Sequence, residues 1–104
     1  MNLSELAESY LLALNHEANS LFIELIFLID DAQKVKVFAN NKDTSPISVE
    51  FIGLNIGANL STYEGVPCLG EIESIEISPT GFNLEGDIGF VKVTADTWCI
   101  ENAL

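Results

Sequence analysis

Sixteen carboxylates dominate the reactive side chains of this 104-residue sequence, against four lysines, no arginine and a single histidine. Pairs such as Asp30/Asp31 and Glu85/Asp87 have the residue types for acid–base hydrolysis. With so many acids, neighbouring pairs arise by chance. His16 stands beside Glu17 at the end of an expected helix, where the helix dipole accounts for it. Cys68 in "VPC" and Cys99 in "WCI" read as buried, inert thiols, and a thiolate working with His16 would need an adjacency that nothing in the sequence indicates. A calcium loop of the D-x-[DN]-x-[DN]-G type is missing, and "GLNIG" lacks both the lysine and the spacing of a phosphate loop. No catalytic, metal-ligating or cofactor-binding residues are therefore assigned, and the chain reads as a binding protein and not an enzyme.

The charge itself is the functional clue. In "GEIESIEISPTG", residues 70–81, Ile72, Ile75 and Ile77 read as the buried row of a strand, with Glu71, Glu73 and Glu76 beside them and no cation nearby. Strict alternation buries glutamates whichever face is chosen. One extra residue at Glu73 or Ser74, a β-bulge, turns the three isoleucines inward and the three glutamates outward. A hairpin closed at "SPTG" would bring Glu85 and Asp87 near this row, and like charges across strands are destabilising. An exposed glutamate row is ordinarily a solvated face. Here the accumulation is a local conflict that folding alone does not explain, which marks a binding surface.

The elements that must position these residues read as one helix followed by strands. Asn2 and Glu5 resemble a capping box, and Leu3, Leu6, Ala7, Tyr10, Leu11 and Leu14 share one helical face. "NHEANS" at 15–20 ends that helix. Residues 21–29, "LFIELIFLI", read as a buried central strand, with a second helix from about Glu17 as the alternative. Asp30 and Asp31 then turn into "QKVKVFA", whose alternating Lys34 and Lys36 mark one wet face and complete a hairpin. "NNKDTSP" is a loop, "ISVEFIGLNI" a third strand and "GANLSTYEGVPCLG" a long irregular crossing. "EIESIEIS", "FNLEGDIGFVKVTA" and "DTWCIENAL" supply the remaining strands. The expected fold is α+β in a single domain spanning 1–104: an N-terminal helix packed on a mostly antiparallel, twisted β-sheet of about five to seven strands.

A chain 48% hydrophobic with mean hydropathy +0.30 can bury a core despite a net charge of −12. Nucleic acid and anionic membranes are poor partners, because both demand a basic patch. The charge is uneven: residues 1–42 hold six carboxylates and three lysines, net −3, whereas residues 43–104 hold ten and one, net −9. No signal peptide is visible at "MNLSELAESY", and the nine-residue apolar run at 21–29 is too short to span a bilayer, so the chain is expected to be cytoplasmic with reduced cysteines.

Aromatic residues carry much interface energy, which brings in Tyr63, with Glu64 in the long loop, and Trp98 in "ADTWCIEN". Trp98 is ordinarily a core-edge tryptophan. In size, acidity and style, though in no diagnostic motif, the chain resembles the small immunity proteins of bacterial contact-dependent growth inhibition and polymorphic toxin systems. That resemblance implies a stoichiometric inhibitor that neutralises a basic toxin domain, first among them a nuclease such as an RNase. Charge and aromatic content place its partner-binding residues at Glu71, Glu73, Glu76, Glu85, Asp87, Tyr63, Glu64 and Trp98. The alternative is a small-ligand-binding domain with a pocket under the curved sheet, near Gly53, Gly57, Gly65 and Gly70.

Overall fold

The computed structural model describes residues 2–17, 19–29, 33–53, 61–63 and 66–102, with the backbone alone for 61–63, 66 and 67. Among these residues ten strands follow one short 3-10 turn, Leu3–Leu6: β1 Tyr10–Asn15, β2 Phe22–Ile29, β3 Gln33–Asn40, β4 Ser48–Ile52, β5 Ser61–Tyr63, β6 Val66–Cys68, β7 Gly70–Ser78, β8 Gly81–Gly86, β9 Gly89–Thr94 and β10 Thr97–Asn102. Eight of them form one antiparallel sheet in the order β10-β3-β2-β1-β7-β8-β9-β4, and β5 and β6 pair as a separate hairpin.

The expected N-terminal α-helix is therefore corrected: among the described residues the fold is nearly all β, and not α+β. Asn2 N–H does donate to Glu5 Oε2 at 3.0 Å, so the start signal is real. It opens only one 3-10 turn. Glu8 then takes a positive φ of 70° and its N–H bonds Ile72 O at 2.7 Å, joining the strand system instead of the next helical turn. Ser9, buried, closes the turn by donating its hydroxyl to Leu6 O. Leu3 and Leu6 satisfy a spacing of three in either helix type, and Tyr10–Leu14 is the near-continuous apolar run of a strand flanked on both sides. Helical spacing and buried-strand composition coincided, and tertiary pairing decided between them.

The expected buried central strand at 21–29 agrees with β2, whose Ile23, Leu25 and Phe27 are fully buried. β2 and β3 pair antiparallel from Phe22↔Asn40 to Ile29↔Gln33, as expected of that hairpin. Its tip, including Asp30 and Asp31, lies outside the described residues, as do residues 54–56 of the expected third strand. The long crossing is more regular than its composition suggested, since it contains the β5–β6 hairpin.

Two half-sheets are joined by a narrow seam. β1 pairs β7 only at Tyr10↔Glu71 and Leu11↔Gly70. On one side of it lie β10, β3, β2 and β1, and on the other β7, β8, β9 and β4. Their apolar faces close on one core, in which Leu11, Leu25, Phe27, Val37 and Ala39 meet Ile72, Phe82, Leu84, Val91 and Val93. The contact is direct where Trp98 of β10 packs edge-on to Phe82 of β8, ring centroids 5.3 Å apart. Each large apolar side chain buried here contributes about 1.5–3 kcal/mol. Opposite the seam the two half-sheets are latched by loops, with Asp96 N–H donating to Asn41 Oδ1 at 3.0 Å and Lys42 N–H to Asp96 Oδ1 at 2.7 Å.

Candidate functional site

The site is built on β7 and β8. Ile72 faces Gly86 while Ser74 faces Glu85, so Glu73 is the extra residue of a β-bulge, at one of the two positions the sequence indicated. Beside the bulge the two backbones approach closely. A side chain on Gly86 would put its Cβ 2.1 Å from Glu71 O, a distance only glycine avoids. Beside it, Glu71 N–H donates to Asp87 Oδ2 at 3.0 Å and Asp87 N–H to Glu71 O at 3.0 Å.

From the bulge onward the glutamates face outward. Glu73 and Glu76 are exposed, Glu71 is half-buried, and Glu85 and Asp87 are exposed on the neighbouring strand and its turn. They do not face one another directly. Glu85 lies opposite Ser74 and Glu76 opposite Asn83, which removes the direct cross-strand pairing of like charges expected from the sequence. Lys92 is the one lysine in residues 43–104. It lies opposite Asn83 and Glu50, two strands away from Glu76. Two strand spacings are about 10 Å, roughly a Debye length at physiological salt, so Lys92 compensates Glu76 weakly.

Both ion pairs among the described residues belong to Lys36 in the other half-sheet. Its Nζ lies 2.9 Å from Glu101 Oε1 and 4.0 Å from Glu24 Oε2, and the Glu101 hydrogen bond and charge raise its pKa above the usual lysine value. None of Glu71, Glu73, Glu76 and Glu85 has a lysine in ion-pair contact among the described residues.

The inward row departs from expectation at its end. Ile72 is fully buried and Ile75 half-buried, but Ile77 is 51% exposed although it lies opposite the buried Phe82. The reason is the other side of β7. β1 pairs with its first two residues, the 3-10 turn packs beside it, and no strand follows further along among the described residues. The parity of the isoleucines was readable from the sequence. The missing neighbour was not, because it depends on where β1 diverges.

The remaining candidates are scattered. Trp98 is half-buried and packs inward on Phe82, in the opposite half-sheet from the glutamates. The backbone of Tyr63 lies in β5 and pairs with Val66, and its side chain and Glu64 lie outside the described residues. Asp87 accepts the Glu71 N–H and so serves the fold as well as the surface charge. Cys68 is buried as expected, Cys99 is exposed, and neither is in a disulfide. His16 sits at the β1–β2 turn, its Nδ1 3.2 Å from Phe22 O. A cleft of ≈ 240 Å³ there is lined by Asn15, His16, Glu17, Ser20 and Phe22, on the rim of the sheet and away from Gly53 and Gly70. Gly57 and Gly65, named with them for a pocket, lie outside the described residues.

Among the described residues no group of histidine, cysteine, aspartate and glutamate could hold a metal ion, and no helix is long and apolar enough to cross a membrane. No family model, curated protein or solved structure matches this chain.

Proposed function

We propose that this chain is a stoichiometric, cytoplasmic inhibitor that binds and neutralises a basic toxin domain, a nuclease first among them, through the acidic face of β7 and β8. The observation that carries the reading is the outward row of Glu73, Glu76 and Glu85, exposed on a rigid, bulged strand pair with no cation bound to it among the described residues. Such a row contributes nothing to the isolated fold that neutral side chains would not, whereas a cationic active site or exosite gives each carboxylate a partner. Carboxylates spaced along a strand can occupy the positions that substrate phosphates take in a nuclease cleft.

The test is protection. A basic toxin domain encoded beside this chain is expressed in cells with and without it, and survival and a one-to-one complex are expected only when both are present. A toxin equally lethal in its presence, with no complex formed, would sink the reading.

A further inference from the structure

Beside the acidic row the molecule presents the cleft at the β1–β2 turn, the exposed Cys99, the stacked Phe22 and Phe38 on the outer face, the exposed Phe51 and Ile52 of β4, and the side of β7 away from β8. Only the last combines a backbone with no pairing strand among the described residues, an exposed apolar side chain, Ile77, and a charge that selects what can cover it.

β7 is bonded to β8 along its length, but on its other side the described backbone hydrogen bonds end at Ile72, whose N–H bonds Ser9 O at 2.8 Å and whose carbonyl accepts from Glu8. Among the described residues the strand is an edge from Glu73 to Ser78, with every second residue directing its N–H and C=O away from β8. The exposure agrees, since Glu73, Ser74, Glu76, Ile77 and Ser78 are all exposed and Ile75 is half-buried. The edge is bounded by the bulge at Glu73 and by Pro79 after Ser78.

Open edges are templates for an added strand, and their side chains decide which strand. A second copy of this chain is a poor fit. Self-pairing would bring two sets of Glu73 and Glu76 within about one strand spacing, roughly 5 Å, on chains of net charge −12. A strand that alternates basic and apolar side chains fits both faces.

Resting on the functional reading above, we infer that the Glu73–Ser78 edge of β7 accepts a strand of a basic partner protein, its lysines or arginines against Glu73 and Glu76 and its apolar side chains against Ile75 and Ile77. Main-chain hydrogen bonds then supply affinity and the glutamates supply selection, so inhibition works by extending the sheet into the partner.

The probe is a six-residue peptide alternating lysine and valine, and the control is a peptide of three lysines followed by three valines. Binding to the full chain is measured by calorimetry, and amide hydrogen exchange is followed residue by residue. The alternating peptide should bind about tenfold more tightly than the control, and should slow exchange at the Glu73–Ser78 amides by about tenfold or more. Ile77→Lys should abolish both effects while the variant melts cooperatively near the parent temperature. Equal binding of the two peptides, or protection centred on another part of the chain, would overturn the edge while leaving an acidic-surface inhibitor intact. A dimer that Ile77→Lys dissociates would overturn it in favour of self-pairing. Peptide binding at the edge by a chain that gives no protection in cells would leave the edge standing and remove the toxin reading.

Discussion

Glu73 and Glu76 are the side chains on which fold and function separate most cleanly. Neither has an ion pair among the described residues, and both are exposed. Because no glutamate lies directly opposite them, the double variant Glu73→Lys/Glu76→Lys should change stability by only a few tenths of a kcal/mol, in the stabilising direction, as read by thermal unfolding. The same variant should weaken partner binding by about 3 kcal/mol or more and abolish protection, since a lysine facing a cationic site repels it. Asp43 is the opposite case, a carboxylate occupied within the fold. Its Oδ1 accepts from Ser45 Oγ at 2.6 Å and Ser45 N–H at 3.0 Å, and these bonds hold its pKa below the ordinary 3.8. A depressed folded value means that its stabilisation is present above the unfolded pKa and is lost as pH falls through the folded one. Any melting difference between the parent and Asp43→Asn should therefore be larger at pH 7 than at a pH below the ordinary carboxylate range.

Strands were legible in this sequence wherever the period was two or the apolar run was bounded. β2, β3 and the bulged β7 follow directly from "LFIELIFLI", "QKVKVFA" and "EIESIEIS"; the isoleucine spacing called for a bulge at Glu73 or Ser74, and strand pairing places it at Glu73. The first element was not legible. A spacing of three at Leu3 and Leu6 suits an α-helix and a 3-10 turn alike, and what ended the turn was a bond from Glu8 to a strand more than sixty residues away. The candidate site divides the same way: its acidic face was readable as composition, but the open side of β7 depends on β1 leaving after two pairs. Close backbone contact at the bulge gives a direct check on the strand pair. Gly86→Ala should destabilise by about 2–3 kcal/mol in urea unfolding, because the clash is with backbone that cannot rotate aside.

Taken as one charged body, the molecule presents a net −12 whose larger share lies in residues 43–104. If that field steers a cationic partner, association should reach about 10⁷ M⁻¹s⁻¹ or more at low ionic strength and fall steeply with added salt, as measured by stopped-flow fluorescence. An association rate indifferent to salt would exclude steering and confine the glutamates to the bound complex.

Scarcity of cations also governs how the chain can be cut. Trypsin needs lysine or arginine, and the four lysines lie at 34, 36, 42 and 92, three of them inside paired strands. Only Lys42 stands in a loop, on the connection between β3 and β4. Limited digestion of the folded chain should therefore produce a single nick after Lys42. The two fragments, 1–42 and 43–104, should stay together on a sizing column, because β3 is zipped to β10 across the cut from Asn40↔Thr97 to Val35↔Asn102, and β1 is seated against β7. Release should need denaturant, and the pieces mixed again should rebuild the sheet, each supplying the strands the other lacks.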